Sequence, residues 1–145
     1  RACARVPECG ADYLGRISGP LMDRFDLRLD VPQVTVEDLA LPRSGETSAV
    51  VAARVAAARA VQRARYAGQA GVAVNADAEG DLLEAIAALS EPARRLLAEV
   101  AGRFRLSARG YHRVLRVART IADLEGSAMV EKPHVAEAAG YRLAI

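Results

Sequence analysis

Two hydrophobic periods divide this chain. In LMDRFDLRLDV the period is two: Phe25, Leu27, Leu29 and Val31 alternate with Asp26, Arg28 and Asp30. That alternation predicts a short strand over 25–31, entered from a turn or short helix. One strand is not a sheet, because its backbone groups need a ladder partner. The expectation is therefore that it pairs with chain beyond this sequence, which reads as a fragment cut inside a larger domain. Residues 33–46, after Pro32, read as a connector broken by Pro42 and Gly45, with one turn of helix at VEDLA.

From residue 47 onward the period is helical. Ser/Thr caps open a first helix over 47–66, closed by Gly68, and DLLEAIAAL predicts a second over 77–88. Ser90, Glu91 and Pro92 start a third that runs to 103. Ser107 caps a fourth to 124, stopped by Gly126, and KPHVAEAAGYRL gives a fifth from about 133. Five helices with short loops predict a helical bundle over 47–145, preceded by the connector at 33–46 and the strand-bearing piece at 1–32.

Composition sharpens this mainly α reading. Hydrophobic residues make up 52% of the chain but aromatics only 4%, with no Trp, so the core must be Leu, Val, Ile and Ala, which favours closely packed helices. A formal charge of +2 decides little, yet all but one of the 20 basic residues are Arg, the exception being Lys132. Residues 91–125 hold eight of these arginines against four carboxylates, whereas 1–46 hold six against eight. The former segment is the candidate anion-facing surface. No apolar run is long enough for a bilayer, and RACARVPECG lacks a signal-peptide core, so a cytoplasmic protein without membrane contact is expected. Cys3 and Cys9 read as reduced thiols, with a disulfide or half a metal site as weaker alternatives, and no metal site is expected.

The arginine excess is concentrated in LSARGYHRVLRVARTIADLEG. On a helical wheel Arg113 and Arg116 lie about 40° and about 20° to either side of Arg109, forming one narrow face, while Arg119 lies about 80° away. Val114, Leu115, Val117, Ala118, Ile121 and Ala122 occupy a broad apolar arc. Asp123 stands four residues after Arg119 and can pair with it; the other three have no acid at i+3 or i+4. Arg109 falls in the first turn, where the helix dipole opposes a cation unless an anion binds there. Gly110 would let a ligand or another backbone approach. The alternative is that the stripe pairs with acids of other elements or faces solvent. His112 and His134 carry no catalytic constellation.

A second isolated arginine, Arg24, stands between Asp23 and Asp26, where a local ion pair is the simplest role. The motifs SGPLMDRFDL, GETSA, RVAAARAVQRARY, NAD and LSARGYHRVLRVARTIADLEG, in this order, resemble the C-terminal part of the magnesium-chelatase-like AAA+ ATPases of the ComM (YifB) kind. The resemblance implies a helical lid domain preceded by a remnant of the α/β core, in a homo-hexamer with ATP between subunits. It makes Arg24 an arginine finger acting on a neighbour's ATP, Arg109 the sensor 2 residue of the lid, and Arg113 and Arg116 weaker candidates on the same face.

The chain has no G-x-x-x-x-G-K-[ST] loop and no strand ending in paired acids. ATP and Mg²⁺ are accordingly expected in the full-length assembly, while the fragment alone binds no cofactor, does not hydrolyse ATP and is monomeric. For the whole protein the resemblance implies a motor driving branch migration on DNA. Two alternatives stay open: a chelatase-type chaperone remodelling a protein partner, and a stand-alone helical interaction module.

Overall fold

The structure, a computed structural model, describes residues 12–13, 15–42 and 45–143. Its helices are α1 (Gly19–Met22), α2 (Val36–Ala40), α3 (Ser48–Arg65), α4 (Gly80–Ala87), α5 (Glu91–Arg103), α6 (Ala108–Glu125) and α7 (Lys132–Leu143), with a 3₁₀ turn at Asn75–Asp77. The five longer helices are the predicted bundle. Cys3 and Cys9 lie outside the described residues.

α6 is the central element, packing against α3, α4, α7 and the 3₁₀ turn, while α5 packs on α7. Its apolar arc, Val114, Leu115, Ala118, Ile121 and Ala122, is buried with Leu83, Ala87, Leu97, Val130 and Val135. The small side chains let the helices approach closely, as the composition required. Local chemistry fixes both ends of α6. The Ser107 Oγ accepts from the Gly110 amide at 3.0 Å, and Gly126, in the left-handed region at φ 73°, lets Ser127 N donate back to the Ala122 carbonyl at 2.8 Å.

Two features differ from those predicted, one helix start and one strand. The second helix starts at Gly80 rather than 77 because Asp77 caps a turn instead, its carboxylate accepting from the amides of Ala73 and Val74 at 3.0 and 3.1 Å. Those bonds hold its pKa below the usual value. The strand expected at 25–31 does not form: among the described residues the segment meets no ladder partner, and its one backbone-to-backbone hydrogen bond to a distant residue runs from Arg28 N to the Tyr141 carbonyl at 2.9 Å. Its two-residue period instead sends Leu27 and Leu29 to the lip of a groove of about 380 Å³, shared with Val117, Ile121, Leu124 and Tyr141. The connector contains the predicted turn of helix, α2, opened by a capping box between Thr35 and Asp38.

Candidate functional site

The N-terminus of α6 brings together most of the arginines singled out above and separates their roles. Arg109 projects from the first turn, exposed, and forms no ion pair among the described residues. With His112, Arg113, Arg116, Glu79 and Gly80 it lines a cavity of about 330 Å³. The Arg109 guanidinium makes that cavity electropositive, and the positive end of the α6 dipole adds to the effect.

The neighbours in the stripe already have partners, supplied by distant parts of the chain. Arg113, largely buried, pairs through Nη1 with the Asp26 carboxylate. Arg116 donates from Nε to the Ala78 carbonyl at 2.9 Å and from Nη2 to Glu79 Oε1 at 3.4 Å. Of the narrow face only Arg109 keeps an uncompensated charge among the described residues.

Arg24 is exposed and lacks an ion pair among the described residues. The local pairing that its flanking carboxylates offered is not made, because other groups take both of them. Asp26 is held by Arg113, and Asp23 accepts from Arg142 Nη2 and, at 3.2 Å, from the Ser107 hydroxyl. The turn carrying Arg24 is thereby fastened to the cap of the helix carrying Arg109.

One structural residue, Arg142, escaped the sequence reading, and a second, Asp123, has more partners than its spacing predicted. Arg142, buried near the end of α7, grips Asp23, donates to the Phe25 carbonyl at 3.4 Å, and lies so close over Gly110 that an added Cβ there would sit 3.1 Å from its Nη2. The group that approaches Gly110 is therefore a side chain of this same chain. Asp123 was expected to meet Arg119 and does, at 3.0 Å, but its wholly buried carboxylate also accepts from Arg65, Asn75 and Gln62. Burial alone would raise the Asp123 pKa; hydrogen bonds from Arg65 and Asn75 and the charges of Arg119 and Arg65 bring it below the usual carboxylate value.

Among the described residues no cluster of three or more His, Cys, Asp or Glu could hold a metal ion. No helix among them is long and apolar enough to cross a membrane. The chemistry at the head of α6 suits a phosphate: an unpaired guanidinium beside the amides of a first turn.

Comparison with known proteins bears on this arrangement. Residues 45–142 match the family model described as magnesium chelatase, subunit ChlI C-terminal, and residues 1–39 match that of magnesium chelatase, subunit ChlI. The chain belongs to the magnesium chelatase ChlI family. Arg24 lies in the one ChlI-type match and Arg109 in the other.

The chain is 41% identical over 131 residues to the competence protein ComM of Haemophilus influenzae, covering 90% of this chain and 25% of that protein. It is 39% identical over 138 residues to the uncharacterized protein YifB of Salmonella typhimurium and 36% over 140 residues to YifB of Escherichia coli, in each case covering 94% of this chain and 26% of the relative. The chain thus spans about a quarter of the length of these relatives.

Proposed function

We propose that this chain supplies the lid and the arginine finger of a hexameric AAA+ ATPase of the ChlI family, in which ATP hydrolysis is coupled to branch migration on DNA. The observation that carries the reading is the isolation of Arg109: in a stripe whose other members are neutralised, the one cation left uncompensated sits where its own helix disfavours it. An anion at that spot turns an unfavourable placement into a favourable one.

In this reading Arg109 holds phosphate oxygens of ATP, aided by the first-turn amides of α6, and Arg24 reaches the nucleotide of a neighbouring subunit. ATP with Mg²⁺ supplies the phosphoryl group, and the planar, permanently charged guanidinium offsets charge that builds on it. Arg113 and Arg116 shape the wall of the cavity while their charge is balanced by Asp26 and Glu79.

Arg109→Ala in the full-length protein is expected to weaken nucleotide affinity or turnover by about tenfold to a hundredfold, the scale of one charge-assisted hydrogen bond to phosphate. Unchanged kinetics would return Arg109 to the role of a solvated surface residue. The family's magnesium chelatase name favours a second reading, a chaperone that remodels a protein partner. ATPase stimulation by branched DNA separates the two, and a rate indifferent to DNA would sink the motor reading.

A further inference from the structure

We propose that Arg142 is a positioning residue for Arg24, latching the finger turn to the lid so that Arg24 and Arg109 are presented by one body. The proposal rests on the finger reading of Arg24. Its basis is a set of contacts that converge on the two carboxylates flanking that residue.

The turn 22–28 is bound to the bundle by its neighbours rather than by Arg24. Arg142 Nη2 holds the Asp23 carboxylate, Arg142 Nη1 reaches the Phe25 carbonyl, and Arg113 holds Asp26. The Arg28 amide donates to the carbonyl of Tyr141, next to Arg142, and the Arg28 side chain folds back to the Met22 carbonyl at 3.0 Å. Each flanking carboxylate takes a guanidinium from a lid helix, which leaves the intervening Arg24 free to point outward.

Gly110 belongs to the same device. The Arg142 guanidinium occupies the space above its Cα, with Nη2, Nε and Cζ at 3.1, 3.3 and 3.4 Å from where a Cβ would be. A glycine early in α6 weakens the helix intrinsically. Here it gives Arg142 a straight path between α7 and Asp23.

The consequence is mechanical. Ser107 shares the Asp23 carboxylate with Arg142 and also caps α6, two residues before Arg109. A movement of α6 that follows phosphate capture by Arg109 therefore pulls on Asp23 and on the Arg24 turn beside it. A lid that responds to its own nucleotide would move the finger it presents to the next subunit.

Hydrogen exchange and kinetics on the full-length protein test this with Arg142→Ala and Gly110→Leu. The second variant fills the space of the guanidinium while improving helix propensity, so a loss of function there is not a loss of α6. In both, exchange of the Arg28 amide is expected to rise about tenfold or more, with α6 core amides unchanged. ATP turnover is expected to fall between about tenfold and a hundredfold, the cost of misplacing a catalytic group by about 1 Å, without a change in nucleotide affinity. In an Arg24→Ala background, Arg142→Ala should lower turnover no further. Unchanged Arg28 exchange in both variants, a further loss in that background, or collapse of protection across the bundle in both would overturn the latch. Normal turnover in Arg24→Ala alone would instead remove the finger reading beneath it.

Discussion

Arg24→Ala in the full-length protein is expected to lower ATP turnover by about a thousandfold or more, the scale on which arginine fingers act, with nucleotide binding left nearly intact. The asymmetry follows from where the residue sits. Arg24 is exposed and makes no ion pair among the described residues, so its removal breaks nothing in the fold of its own chain. The carboxylates beside it stay occupied by Arg142 and Arg113. Arg24→Lys keeps the charge but loses the planar fork, and should recover only a small part of the rate. Mixing Arg24→Ala subunits with subunits that cannot bind nucleotide should restore turnover if the arginine acts across an interface, because wild-type fingers then meet competent sites. A single-site measurement showing normal turnover in Arg24→Ala would remove the assignment.

What the sequence made legible was whatever depends on neighbours within about one helical turn. Ser107 as cap, Gly126 as stop, the apolar arc of α6 and the Arg119 and Asp123 pair are all set by spacings of three or four residues, and each stands as expected. The partners of Arg113, Arg116 and Arg142 lie 87, 37 and 119 residues away in the chain. Periodicity reports which face of a helix carries a charge and is silent about what crosses that face in space. Residues 25–31 show the same limit from the other side. A two-residue period states that alternate side chains face alternate ways; whether the backbone finds a ladder depends on a partner elsewhere, and among the described residues the only distant backbone group that this segment's backbone bonds is the Tyr141 carbonyl. Gly110 signalled a close approach, and only the structure names Arg142 as what approaches.

Asp123→Asn is expected to cost about 3 to 5 kcal/mol of stability, the penalty for leaving buried cations without their counter-ion. One carboxylate, wholly buried, serves two guanidinium groups: Arg119, itself 1% exposed, and Arg65 from α3. Arg119 spends its remaining N–H groups on the Ser127 and Ala128 carbonyls just beyond the end of α6, at 2.6 and 2.9 Å. Asn75 donates to Asp123 at 2.8 Å and to Thr120 at 3.1 Å, and accepts from the Tyr66 hydroxyl at 2.8 Å. An asparagine keeps the shape and cancels the charge, so α3, the 3₁₀ turn and the end of α6 lose their common anchor together. Thermal unfolding should shift down by about 10 °C or more. Because the Asp123 pKa is held below its ordinary value in the folded state, its contribution is present above the unfolded carboxylate pKa, about 4, and is lost as pH falls through the lower folded value. Asp123→Asn should therefore also flatten the pH dependence of stability in that acid window. The effect reaches the site. Asn75 opens the 3₁₀ turn, Ala78 follows it, and the Ala78 carbonyl and Glu79 carboxylate are what hold Arg116 in the wall of the Arg109 cavity. Loss of the buried anchor should thus loosen Arg116 before it touches Arg109, and a variant whose melting temperature moves by less than about 2 °C would show that the network contributes little to the fold.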